Sequence, residues 1–203
     1  MLVSDADRKR ISAAIRAAEK ATSGEIFCVI ARQSGDYRLV PLIWASAAAL
    51  ALPFALIHFT ALTAQMIYLA QLALFIVLSL VLSLRPVCIR CAPRWLKFQY
   101  AHAEAMRQFF AQRLDKTEER TGVLIFVSAA EHYAEVVADI GINEKVSQAA
   151  WDDVVASLIR EIRRGEAGEG FVTAIGKCGA VLAAHFPPGA LNRNELPDKL
   201  VEI

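Results

Sequence analysis

The chain has 203 residues, with 22 Lys and Arg against 21 Asp and Glu, a formal net charge of +1 and a hydrophobic fraction of 56%. That is more apolar than a soluble domain needs, and no basic, aromatic-rich stretch suits nucleic acid. The excess is concentrated, because residues 39–84 contain no Asp, Glu, Lys or Arg.

In chain order, Asp5 to Ala21 reads as a helix: Ile11, Ala14, Ile15 and Ala18 recur at helical spacing. Ser4 or Asp5 is its N-cap. Gly24 stops it, and "EIFCVIA" follows as a strand bounded by Gly24 and Gly35. The uncharged run then suits two membrane crossings, at Val40–Phe59 and Met66–Leu84, joined by the short turn "TALTAQ". About 20 apolar residues are enough to cross a bilayer core. Pro53 kinks the first span by removing one backbone donor. Trp44 and Tyr68 lie near the expected span ends as interfacial aromatics, and His58 falls near the far interface.

Lys and Arg set the orientation. Arg32 and Arg38 precede the first span, Arg85, Arg90, Arg94 and Lys97 follow the second, and the turn between has none. Both flanks, and so both termini, are expected on the cytoplasmic side of an inner or plasma membrane, with no apolar export segment before the hairpin. Residues 98–203 carry 11 Lys and Arg against 16 Asp and Glu. An acidic domain should therefore hang below a basic collar laid against anionic head groups. Cys88 and Cys91 form a C-x-x-C pair inside that collar. Zinc wants four ligands, and only His102 offers a third. A redox pair would open a helix directly after a strand. Reversible acylation suits juxtamembrane thiols. The plainest reading is two inert thiols at the interface.

Past the collar, Arg94 to Leu114 reads as a helix with an aromatic, core-facing stripe that includes Trp95, Phe98, Phe109 and Phe110. "DKTEERTG" is a charged turn. "VLIFVS" is a buried central strand, and "HYAEVVADIGI" should pair antiparallel with it. Trp151 opens a helix with one apolar face (Val154, Val155, Leu158, Ile159, Ile162) that Arg163, Arg164 and Gly165 end. A last helix runs from Glu169 to His185 and "FPPG" stops it. "ALNRNELPDKLVEI" is a tail without sustained period. No dinucleotide, Walker, zinc-protease, nucleophile-elbow or EF-hand motif is present.

The stretches "ISAAIRAAEKATSGEIFCVIA", "AEAMRQFF…RTGVLIFVSAAEHYAEVVADIGI" and "GFVTAIGKCGAVLAAHFP", with this order of elements, resemble the TPM domain family. That family includes thylakoid-lumen acid phosphatase-like proteins of photosystem II repair. The resemblance implies a three-layer α/β/α sandwich with a short mixed sheet, here interrupted by a two-helix transmembrane hairpin. It also implies calcium binding and phosphatase activity, each reported for some members only. Arg120-Thr121-Gly122 stands where many members have Asp-Asn-Gly, with Glu118 and Glu119 close by. No catalytic residue carries over.

The expected organisation is residues 1–38 as the first part of the domain, 39–84 as the hairpin, 85–97 as the basic segment, 98–187 as the second part and 188–203 as the tail. In open α/β sheets ligands favour the crevice beyond the carboxyl ends of the strands. Here that crevice should gather Ser34, Asp36, Ser128, Glu131 and His132. Asp139, at the end of the third strand, is a candidate cation ligand. The expected role is an interaction or scaffold module on the bilayer, with another membrane protein as partner. The alternative is a calcium-linked phosphatase.

Overall fold

The structure is a computed structural model that describes residues 3–117, 119–188 and 195–203, with backbone only at 85 and 86. It divides into two compact units, Met1–Ser34 with Phe98–Ile203, and Gly35–Lys97.

The first unit is a four-stranded mixed sheet of order β3-β2-β1-β4 between helices. α1 (Asp5–Glu19) begins at Ser4, whose hydroxyl accepts the Asp7 N–H at 3.1 Å. β1 (Glu25–Ala31) and β2 (Gly122–Ser128) are parallel, from Glu25 opposite Gly122 to Ala31 opposite Ser128. Both are buried along their whole length, so they read as unbroken apolar runs. Alternation assigns their side chains to two layers. Ile26, Cys28, Ile30, Val123, Ile125 and Val127 meet one core with Ile11, Ile15, Trp151, Leu158 and Phe171. Phe27, Val29, Leu124 and Phe126 meet Ala105 and Phe109 in the other. The first core is covered by α1, α7 (Gln148–Arg163) and α8 (Ala167–His185), and the second by α5 (Arg94–Ala111). This is the expected α/β/α sandwich.

Gly122 starts β2 because nothing larger fits. A Cβ there would lie 2.4 Å from the Leu114 carbonyl oxygen. The chain ahead of it is tightly wound, with Arg113 at φ 60° and Arg120 at φ 54°, and a 3-10 turn over Leu114–Lys116. That winding also ends α5 at Ala111, earlier than its periodicity predicts.

Other expectations change as well. β3 (Tyr133–Ala138) pairs antiparallel with β2 as expected, but it stops at Asp139, which N-caps the short helix α6 (Ile140–Asn143). α7 starts at Gln148 behind Ser147, three residues before Trp151. The tail contains a strand, β4 (Leu200–Glu202), parallel to β1 at Cys28–Ile30. Backbone bonds from Arg32 N to Ile203 O (2.8 Å) and from Ile203 N to Ile30 O (3.0 Å) extend it. Glu202 takes both Arg8 and Arg32. Residues 189–194 of the expected tail lie outside the described residues.

The second unit is a helical hairpin and a short collar helix. α2 (Leu39–Phe59) and α3 (Ala64–Leu82) are joined by four residues, and α4 (Arg85–Cys91) follows. Both long helices are long and apolar enough to span a membrane. α2 turns small residues, Ala45 and Ala49, inward. α3 buries no residue, and Leu50, Phe54, Ile76 and Leu80 are exposed. The C-x-x-C pair lies on α4. The buried Cys88 thiol donates to the Tyr37 carbonyl at 3.2 Å, in a small cluster with Val40 and Ala92. Burial, then Cys91 and Asp36, raises its pKa, which keeps it a thiol. The Trp44 indole donates to the Cys91 carbonyl at 3.3 Å.

Candidate functional site

β1 and β2 run in the same direction, so their carboxyl ends open on the same edge of the sheet. Ser128 closes β2, and a tight turn brings Glu131 back under it. Ser34 arrives three residues beyond β1. The Ser34 N–H donates to both Glu131 oxygens at 3.1 and 3.2 Å. The Ser34 hydroxyl donates to Ser128 Oγ at 2.7 Å, and the Ser128 hydroxyl donates to Glu131 Oε2. Three of the five residues expected in the crevice therefore form one continuous network.

The network is closed. Ser128 is fully buried and Glu131 is 4% exposed. Both hydroxyl protons are committed inside it, so neither serine is a poised nucleophile. Its evident work is to hold the chain at Ser34, where the first unit is left for the hairpin. Glu131→Ala would strand the half-buried Ser34 N–H and the buried Ser128 hydroxyl. The expected cost is about 2–4 kcal/mol, read as lost thermal stability of the full chain by near-ultraviolet circular dichroism. Glu131→Gln should recover about half.

The other two residues expected in the crevice make their own contacts. His132 is exposed, with its backbone at φ 53° in the turn. Asp36 belongs to the second unit, where it accepts the Arg38 N–H at 3.2 Å and pairs with its guanidinium. Asp139 lies at the opposite end of the sheet. Its Oδ1 accepts the Ile140 N–H at 2.7 Å, and its Oδ2 is buried with no hydrogen-bond partner among the described residues. Calcium takes roughly six to eight oxygens. Among the described residues no group of three or more His, Cys, Asp or Glu is arranged to hold a metal. One orphan oxygen does not make a calcium site from the residues described; Glu118 lies outside them.

Two constellations escaped the sequence reading. On the α5 side of the sheet, His102 Nδ1 lies 2.9 Å from Glu135 Oε1, and the Tyr133 hydroxyl donates to Glu135 Oε2 at 2.9 Å. Burial, then Glu135, raises the pKa of Tyr133. His102 is thus engaged within the first unit, whereas Cys88 and Cys91 belong to the second. The i, i+2 spacing of Tyr133 and Glu135 on a strand was the available signal. The second constellation is a set of buried acids under β1. Glu19, the last residue of α1, accepts the Ile26 N–H at 2.9 Å. Burial first, then the neighbouring charges of Glu25 and Asp198, pushes its pKa up to about 8. Glu25 is raised as well, mainly by burial, and accepts the Leu196 N–H at 3.3 Å. The remaining thiols, Cys28 and Cys178, are buried, and burial pushes Cys178 up to about 12, so neither is reactive.

A polar cleft of about 490 Å³ lies between the starts of α1 and α8. Its Arg10 is taken by Glu169 and Asp7, which leaves a closed ion-pair array rather than an anion site.

A three-layer α/β/α domain with a closed polar clamp at the strand ends is the class that the fold defines. The family model described as the TPM domain matches residues 96–181. That stretch, a little under half of the chain, is thus similar to the TPM domain. No curated protein matches it. Among solved structures, it is similar to the NMR structure of BA42 protein from the psychrophilic bacterium Bizionia argentinensis. The identity is 22% and the TM-score 0.63, over 99% of this chain and 95% of that one. At that identity the likeness speaks for the fold.

Proposed function

We propose that the chain is an integral membrane protein whose TPM domain works as an interaction module at the cytoplasmic surface of an inner or plasma membrane. The observation that carries this reading is the exposure of the hairpin. Only 22% of the apolar window of α2 and none of that of α3 is buried within the chain. A core helix of a soluble protein would hide such a window, and in water these faces would aggregate. A hydrocarbon solvent removes the penalty and leaves helices as a viable spanning structure, since their backbone bonds are internal. The cations Arg90, Arg94 and Lys97 then meet anionic head groups, and the domain is held near the lipid surface for a partner embedded there.

The test is fractionation and labelling of the full chain in cells. Expected is retention in the membrane after alkaline extraction, with Lys20 and Lys145 both reached by an amine reagent only from the cytoplasmic side. Release at alkaline pH, or the two lysines on opposite faces, overturns the reading. Nothing in the geometry favours hydrolysis, since Ser128 and Glu131 are buried and the hydroxyls of Ser34 and Ser128 both donate within their own network. Turnover of a generic phosphomonoester that Asp139→Asn abolishes would replace the scaffold by an enzyme.

A further inference from the structure

The hairpin has a polar feature that lipid alone does not satisfy. Between α2 and α3 runs a groove of about 310 Å³, lined by Ser46, Ala49, Tyr68, Gln71 and Phe75 among others. Gln71 is the eighth of the nineteen residues of α3. At 1.5 Å per residue it sits ~10 Å in from one end of the helix and ~16 Å from the other. In a bilayer that depth is hydrocarbon. The Gln71 amide carries two donor hydrogens and one acceptor oxygen. Neither it nor the Ser46 hydroxyl across the groove has a side-chain hydrogen bond among the described residues. An acyl chain can fill the groove but offers nothing to an amide, and an unsatisfied amide in hydrocarbon is costly.

What fits must carry a donor and an acceptor at the depth of Gln71. Any copy of this chain inserted with the same topology presents its own Gln71 at the same depth. Two primary amides facing each other across a twofold axis are self-complementary, each donating to the other's oxygen. This is the symmetry of an isologous dimer. We infer that the hairpin dimerises in the membrane through paired Gln71 amides seated in the α2–α3 groove, with two TPM domains displayed on one face of the bilayer. The inference rests on the membrane reading above and adds its stoichiometry and its contact. Interhelical hydrogen bonds of this kind drive association of membrane helices where the hydrophobic effect is absent.

The experiment uses the full chain, fluorescently labelled and reconstituted into phosphatidylcholine–phosphatidylglycerol vesicles at several protein-to-lipid ratios. Oligomeric state is read by single-molecule photobleaching. Alkaline extraction of the same vesicles is read separately, so that loss of insertion is distinguished from loss of pairing. The wild type should titrate between monomer and dimer. Gln71→Leu, which keeps the volume and lowers the cost of insertion, should stay inserted and weaken dimerisation about tenfold. Gln71→Asn should be intermediate, and Gln65→Leu, in the first turn of α3, should behave as wild type. An inserted wild-type chain that stays monomeric at every ratio overturns the inference, as does a dimer that Gln71→Leu leaves unchanged. So does a chain that leaves the vesicles at alkaline pH, which removes the membrane reading with it.

Discussion

Glu19→Gln should make the chain more stable than wild type above pH 8 and flatten its stability between pH 5 and 8. The Glu19 carboxyl is buried at the junction of α1 and β1, and its pKa in the folded protein is pushed up from 4.5 to about 8, first by burial and then by Glu25 and Asp198. Its unfolded value is close to the ordinary one. Between the two, the folded chain holds a proton that the unfolded chain has released, so raising the pH favours unfolding. The contribution is complete below about pH 4.5 and is lost by the time the pH passes 8. At ~1.4 kcal/mol per pH unit the loss is bounded at about 4–5 kcal/mol. Glutamine can still accept the Ile26 N–H and donate towards Asp198 with no proton to lose. Denaturant unfolding of the full chain at pH 5, 7 and 9 reads the slope. A second readout is local. Asp198 precedes β4, so amide exchange at Leu200–Glu202 should accelerate above pH 8 in the wild type beyond its intrinsic pH dependence, and not in Glu19→Gln. A wild-type slope that Glu19→Gln leaves intact would assign the effect to another acid, Glu25 first.

Trp151→Ala should destabilise the fold by about 3–5 kcal/mol, the range for truncating a buried aromatic. Trp151 is 2% exposed and belongs to the core beneath α7 and α8, with Val154, Leu158 and Phe171. Trp151→Phe separates packing from polarity. The indole Nε1 is buried with no hydrogen-bond partner among the described residues, and an orphan donor costs about 1–3 kcal/mol. Phenylalanine removes that donor while keeping much of the ring volume. It should therefore fall within about 1 kcal/mol of wild type, in contrast to alanine. Thermal and denaturant unfolding measure both. Equal losses in the two variants would mean that the indole nitrogen has a partner in solution, with a buried water the first candidate.

The candidate site was partly legible in advance. Its place followed from topology, since two parallel strands joined by a long crossover must end on one edge. Ser34, Ser128 and Glu131 do meet there. Their chemistry was not legible, because nothing in a one-dimensional string says that Glu131 turns inward to accept three hydrogen bonds while its neighbour His132 turns out. Asp36, two residues from Ser34 in sequence, belongs to the other compact unit, where it pairs with Arg38. Among the cysteines, Cys88 was read as an interfacial thiol, and burial against the Tyr37 carbonyl could not be anticipated without α4.

Features that a short window of residues can express were present in the sequence alone. The charge-free run of residues 39–84, the apolar runs of β1 and β2, the single apolar face of α7 and the Ser4 cap of α1 depend on local period and composition, and each appears where it was expected. Features made by residues distant in sequence waited for the tertiary structure. β4 is three residues long and has no period to detect. It is a strand because β1 offers an open edge and because Arg8 and Arg32 hold Glu202 there. The raised pKa of Glu19 and the closed Ser34–Ser128–Glu131 clamp likewise arise from burial and from partners more than ninety residues apart in the case of the clamp. Desolvation and hydrogen bonding act over a few ångströms of space, whatever the separation along the chain.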